Sequence, residues 1–396
     1  MHALTLTLAL LAPQQQWTVD RSAPADFAEI SSAIASPLVA DGDTLLIGHG
    51  DYASFTLTRD LQLIGQAGAL YSAPVVSVRG AHDVTLAGLS AREFSASNVS
   101  GRLTLDECTV GWWVLEPNSG FLVRQGECRF EFCAEVVIRA SSFHGSEGCY
   151  PELGTTRAGI AALGSSLALV DCELFGGNDD ICSGHPTEGP KPALELQTCF
   201  ATLSACSLRG GDDTQVGAAP GALVFESDLR IRGSSMHQVR GGSLLAGGFA
   251  PAIAGANSVA TISGVTFDAL TLPAWAGVPP VPEPYLRFAG SPTPGTSLPL
   301  EVFGTAGEAL QVIRGDVPRL FLLFDDLDPL WFRRTSILGN TPIVSAGQDT
   351  PVGFTVPLPS GATRAGEITL YQAWLPQLGA TGTAFLSTPA VLVERW

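Results

Sequence analysis

Two stretches set paired carboxylates behind paired glycines: LFGGNDDICSG at 174–184 and LRGGDDTQVG at 208–217, starting 34 residues apart. Asp179 and Asp180 in the first, and Asp212 and Asp213 in the second, fit three chemistries. The first is a turn, in which Asp and Asn satisfy local backbone groups and Gly takes positive φ. The second is a calcium site, in which converging carboxylate oxygens are relieved of mutual repulsion by the cation. The third is acid–base catalysis on a glycosidic bond. Carboxyl groups about 5 Å apart suit a retaining hydrolase, and groups about 9–10 Å apart suit an inverting one. The three histidines near these loops, His144, His185 and His237, have no metal-binding spacing and read as surface or turn residues.

Whether these acids meet depends on what spaces them, and the chain is repetitive. One hexamer recurs: an aliphatic residue, two small or polar ones, Cys or a small residue, a polar one, then an apolar one. It reads IRASSF at Ile138, LVDCEL at Leu169, LSACSL at Leu203, IRGSSM at Ile231 and ISGVTF at Ile262, at intervals of 31, 34, 28 and 31 residues. LDECTV at Leu105 and LAGLSA at Leu86 are weaker upstream copies, and QGECRF at Gln125 is a further candidate of undetermined register. Strands this short cannot bury an apolar side alone, so the pattern predicts repeats stacked as a solenoid with parallel ladders. Long insertions follow the hexamers. Counted from the last hexamer residue, Glu147, Asn178 and Asp212 share one offset, and Asp179 and Asp213 the next. Stacked coils about 4.8 Å apart would turn them into a column along one edge. The expected metal ligands, if calcium binds, are Glu147, Asp179, Asp180, Asp212 and Asp213. The expected catalytic groups, if the edge is an active site, are Asp179, Asp180, Asp212 and Asp213.

The eight cysteines fall between Cys108 and Cys206. Cys149 and Cys182 sit in equivalent loops of adjacent coils, which predicts a disulfide tying the two longest loops together. Cys172 and Cys206 share one hexamer position, so either a disulfide or two stacked thiols fits there.

The segment ADFAEISSAIASPLVADGDTLLIGHGDYASFTLTRDLQLIGQAG resembles the opening of right-handed parallel β-helix proteins of the pectin-lyase-like superfamily. The resemblance spans residues 25–272. It implies an amphipathic N-terminal helix, started by Asp26 and carrying Phe27, Ile30 and Ile34, that covers the first coil. It implies little about activity, since the fold hosts lyases, hydrolases, esterases, adhesins and binding proteins. The arginine motif R-x-P-x-x-R of pectate-lyase-like enzymes is missing. NDD at Asn178, DD at Asp212 and GHP at Gly184 match neither the order nor the spacing of polygalacturonase-like sites. QDT at Gln348, the pectin-esterase-like triplet, lies beyond the helix.

After the last hexamer comes LPAWAGVPPVPEPYLRFAGSPTPGTS, whose prolines argue against continued ladder pairing. The apolar runs beyond it, separated by Gly, Pro and Asp, predict a small β-sandwich. Its ending is similar to C-terminal β-domains of planctomycete-type secreted proteins. Trp331, Trp374 and Trp396 read either as strand packing or as a sugar-stacking face. The expectation is therefore an all-β chain: signal peptide 1–16, right-handed parallel β-helix 17–272 with an N-terminal capping helix, Pro-rich linker 273–297, and β-sandwich-like domain 298–396.

The chain is 15% charged with a formal charge of −17, and Lys191 is its single lysine among 21 basic residues. Such a surface repels polyanions, which argues against nucleic acid and against an acidic polysaccharide without a bridging cation. The apolar run at 3–12 is too short to span a bilayer and fits a secretory signal. Together these predict a monomeric, secreted or cell-surface protein with no membrane span. Its expected partner is a polysaccharide or cell-surface glycan. The expected role is that of a non-catalytic surface or carbohydrate-contacting protein, the alternative being a polysaccharide lyase or glycoside hydrolase working at the acidic loop edge. Calcium is the only cofactor suggested.

Overall fold

The computed structural model describes residues 15–22, 24–66, 70–115, 122–147, 156–178, 189–212, 217–232, 238–242, 250–263, 265–267 and 275–278. Beyond these it describes the strands from Pro280–Pro282 to Ala390–Glu394. Up to residue 282 the chain winds into a parallel β-helix. The described strands form an eleven-stranded sheet and a sixteen-stranded sheet, and outside one antiparallel hairpin every described strand pair in this region is parallel.

The hexamers stack in register. Leu45, Leu63, Leu86, Leu105, Ile138, Leu169, Leu203, Ile231 and Ile262 are successive partners in the first sheet. All but Ile262 are essentially inaccessible to solvent. Each buried Leu or Ile stabilises the coil by about 1.5–3 kcal/mol. QGECRF does not join this column: Glu127–Glu131 belongs to the second sheet, where it pairs with Leu89–Ser97 and Ile160–Leu163.

The hexamers at Leu105, Ile138, Leu169 and Leu203 each hold a bend rather than one strand. The third residue takes left-handed backbone: Glu107, Ala140, Asp171 and Ala205 have φ between 45° and 54°. A second row of such residues, Asn98, Phe132, Thr198, Glu226 and Asn257, turns the chain back from the second sheet to the first. The conformation costs about 1–2 kcal/mol per residue, and bonds to the next coil offset it. Glu107, Ala140 and Asp171 each donate an N–H to a carbonyl one coil on, at 3.0 Å.

At several bends the residue that follows adds a second bond. Ser227 Oγ donates to the Phe225 carbonyl at 2.7 Å and accepts the Cys199 N–H at 2.9 Å. Cys199 Sγ does the same between Gln197 and Ser165, as does Ser141 Oγ between Arg139 and Cys108. In the hexamers Cys108 Sγ reaches back to Leu86 O and Cys172 Sγ to Ile138 O, so Cys and Ser can alternate there: either side chain bridges two coils. The six described cysteines, Cys108, Cys128, Cys133, Cys172, Cys199 and Cys206, are buried free thiols. Of the two readings for Cys172 and Cys206, stacked thiols is the one observed. Burial pushes the Cys108 thiol up to about 12 and also raises Cys172, so these sulfurs stay protonated and unreactive.

Two details differ from expectation. The helix is Ile30–Ala35, and Glu29, not Asp26, occupies its N-cap position. Asp26 instead accepts the Thr18 N–H and hydroxyl, both at 2.8 Å, while Phe27 bridges Val19. Pairing with the first rung thus outcompetes a helix cap. Parallel pairing also continues into the proline stretch at 273–297: Trp275–Ala276 and Pro280–Pro282 add a rung to each sheet. Pro280, Val281 and Pro282 sit opposite Ala260, Thr261 and Ile262. Alternate residues of a strand face opposite neighbours, so only Val281 must present an N–H inward. The two missing donors fall on the free edge of the last strand, where proline is tolerated.

From Tyr285 onward pairing is antiparallel. Tyr285–Phe288, Ser297–Phe303 and Val352–Pro357 form one sheet, and Ala309–Gly315, Thr335–Val344 and Glu367–Leu375 anchor another. No helix among the described residues is long and apolar enough to cross a membrane.

The ladder makes a contrast testable by urea denaturation. Leu203→Ala removes an inward side chain from a close-packed column and should cost about 2–5 kcal/mol. Thr202 is buried with its hydroxyl unpartnered, so Thr202→Val should leave the midpoint unchanged or raise it.

Candidate functional site

The second sheet determines where the loops leave. In early coils it is crossed by unbroken nine-residue strands, Tyr71–Arg79 and Leu89–Ser97. Leu89–Ser97 pairs at its start with Thr109–Val110 and at its end with Glu127–Glu131. The next coil is therefore split at its middle, and the insertion at 111–126 leaves there. Later coils are split at the same place: Ser142–His144 from Ile160–Leu163, Glu173–Phe175 from Leu194–Gln197, and Ser207–Arg209 from Ala222–Phe225. All the long insertions thus emerge from one line along the solenoid.

Paired glycines line that exit. Arg157 N–H bonds Ser146 O, Gly177 N–H bonds Arg157 O, and Lys191 N–H bonds Gly177 O. The zigzag continues through Gly211, Ala219, Gly242 and Ala250. Successive outgoing backbones pass so closely that a Cβ at Gly177 would lie 2.2 Å from Ser146 O and one at Gly211 2.1 Å from Gly177 O, and the returning backbone is as near: a Cβ at Gly176 would lie 2.0 Å from Lys191 O. The glycines before the aspartates are there because the neck has no room for a side chain.

Beyond the neck, positions 147, 178 and 212 follow on successive rungs, and Asp212 donates its N–H to Asn178 Oδ1 at 2.9 Å. The Asp212 carboxylate is ion-paired with Arg209. Glu147 and Arg124 form a reciprocal pair: Arg124 N–H donates to Glu147 Oε2 at 3.1 Å, and Glu147 N–H donates to Arg124 O at 2.8 Å. Asp179, Asp180, Asp213, Cys149 and Cys182 lie outside the described residues, as do His185 and His237. Among the described residues no group of three or more His, Cys, Asp or Glu side chains is placed to hold a metal ion. Glu147 and Asp212, the two described candidates for calcium, both engage arginine.

The structure also brings together residues that the sequence did not single out. Trp112–Leu115 and Leu122–Gln125 form an antiparallel hairpin within the first insertion. The Trp112 indole N–H bonds Ser90 Oγ at 3.0 Å. The Arg124 guanidinium lies 4.9 Å from the Trp113 ring centroid and donates to His144 Nδ1. The His144 ring stacks on Phe175 at 4.5 Å with an interplanar angle of 3°. His144 is a mostly buried member of this stack, not the surface or turn residue expected from its position.

Ser142 Oγ lies 2.9 Å from His144 Nε2, a distance suited to a nucleophile and its base. The hydrogen bonds assign other roles. A guanidinium only donates, so Nδ1 carries the lone pair, and the proton of the neutral ring is on Nε2, donated to Ser142. That tautomer cannot take a proton from the serine. Burial, and secondarily the Arg124 charge, push the His144 pKa down to about 4, further weakening it as a base.

No protein-family model matches the chain, and no curated protein matches it in sequence. Among solved structures, it is similar to the A-module of the Azotobacter vinelandii mannuronan C-5 epimerase AlgE4. Identity is 13%, over 64% of this chain and 92% of that one, and the TM-score is 0.23. At that score the likeness carries no argument about this protein, and the β-helix stands on its own strand pairing.

The His144 arrangement predicts a pH dependence of known sign. The folded ring titrates near 4 and an ordinary one at 6.5, so the unfolded chain binds the extra proton first as pH falls. This contribution should lower stability progressively from about pH 6.5 to pH 4, then level off. The His144→Phe variant, compared by thermal unfolding across that range, should lose this slope. At the neck, Gly211→Val should lower the unfolding midpoint far more than the same change at Gly353, where a Cβ meets nothing within 4 Å.

Proposed function

We propose that this protein is a non-catalytic, carbohydrate-contacting β-helix that works outside the cell or at its surface. In this reading the segment at 1–16 is an export signal, and the antiparallel strands of the C-terminal part pack as a β-sandwich. The observation that carries the proposal is the state of the loop-exit edge. His144 is held as the wrong tautomer for a base, Asp212 is paired with Arg209, and Glu147 is engaged by the Arg124 backbone. Among the described residues, this edge offers outward a fixed aromatic ring, Trp113, which is 55% exposed.

The alternative, a lyase or hydrolase using Asp179, Asp180, Asp212 and Asp213, draws support from one feature: Asn178 and Asp212 occupy successive rungs at the exit of the two acidic loops. The readings separate in one assay. The purified chain, incubated with plant and algal polysaccharides with and without calcium, should release no unsaturated or reducing sugar. Release that disappears in Asp179→Ala/Asp212→Ala, with circular dichroism unchanged, would establish the enzymatic reading instead.

A further inference from the structure

Trp113 is fixed from several sides. Its inner face rests on the Arg124 guanidinium, Arg124 is held by His144, and His144 lies flat on Phe175. On the same strand, Trp112 is tied to Ser90. The hairpin therefore grips two rungs of the second sheet, those of Ser90 and Ser142, with the Thr109 rung between them. An indole immobilised in this way, with one face in solvent, is a pre-organised stacking platform that loses little side-chain entropy when a ligand covers it.

Charge narrows what can stack there. A guanidinium already occupies the inner face, so a second cation on the outer face is disfavoured. The described arginines of this edge are also committed: Arg124 to His144, Arg209 to Asp212, Arg157 to Glu127 at 3.8 Å and Arg92 to Glu93 at 3.0 Å. A carboxylated or sulfated chain would have to break one of these pairs, against a protein of formal charge −17. The outward column beside the stack runs Ser142, Glu173, Ser207 on consecutive rungs, and Glu173 is exposed. Serine hydroxyls and a carboxylate accept hydrogen bonds from sugar hydroxyls, while that carboxylate repels uronates. The rungs rise about 4.8 Å each, a step comparable to one pyranose unit.

Resting on the carbohydrate-contacting reading above, we infer that the Trp113 platform and the Ser142–Glu173–Ser207 column form a binding site for a neutral, linear polysaccharide lying along the solenoid axis. The C–H face of one sugar covers the indole, and hydroxyls of the following units meet the column.

Affinity electrophoresis of the full chain in gels containing a β-glucan, a mannan, a xylan or polygalacturonate tests this. Trp113→Ala and Trp113→Phe run alongside, with circular dichroism as the folding control. At least one neutral polysaccharide should retard the wild type. Trp113→Ala should weaken that retardation by about tenfold or more, and Trp113→Phe should largely keep it. Equal retardation of wild type and Trp113→Ala, or retardation by polygalacturonate alone, overturns this site and leaves the carbohydrate-contacting reading standing. Retardation by none of the four overturns both. Sugar release from a gel polysaccharide overturns only the non-catalytic part of that reading.

Discussion

Coil-to-coil backbone pairing is the constraint on which the rest of this structure depends. Each coil lies on its predecessor at about 4.8 Å, so every position must tolerate a near-copy of itself directly above and below. Apolar residues gain from this arrangement, because the inward column from Leu45 to Ile231 becomes one continuous core. Like charges lose, since identical charges a rung apart repel. The low charged fraction and the wealth of Ser, Thr and Gly follow from that geometry. Where charges do stack in the first sheet, opposite signs meet: Arg102 faces Glu135 at 3.2 Å and Arg139 faces Asp106 at 2.7 Å.

The bends obey the same rule. A left-handed residue at each bend leaves backbone groups that only the adjacent coil can satisfy, and a small side chain able to donate and accept completes the link. Cysteine and serine are nearly interchangeable for this task, which accounts for thiols in positions where no redox chemistry is needed. The described cysteines beside the bends are thus part of the stacking apparatus, inert because they are buried.

One break in the pattern creates the candidate site. Where the second sheet is split, the chain leaves through a glycine neck and returns, so the solenoid can carry insertions of different length without disturbing its ladder. Beside it, residues far apart in sequence, such as Trp113 and Phe175, join a single stack through Arg124 and His144. Among the described residues of this edge the arginines are paired locally, and Trp113, serine hydroxyls and Glu173 are its outward chemistry.

The solenoid and its register were legible in the sequence because stacking imposes a periodic requirement, and a periodic requirement leaves periodic residues. The hexamers from Leu86 to Ile262 carry the inward column of the first sheet at matching positions. Features that depend on one non-repeating contact left no such trace. Asp26 reads as a helix cap until the Thr18 rung is seen to claim it, and QGECRF mimics a hexamer until its partner strand shows that it lies in the other sheet. The prolines at 280 and 282 read as a stop, yet their shared parity places both missing donors on a free edge. His144 looked peripheral, and its tautomer follows only from Arg124, 20 residues earlier, folding back across it. Composition and period thus determined that this chain would stack and where its core would lie. Which polar groups meet at the loop edge, and which of them are already spent on one another, was decided by tertiary structure, because hydrogen bonds between distant residues depend on geometry that no local pattern encodes.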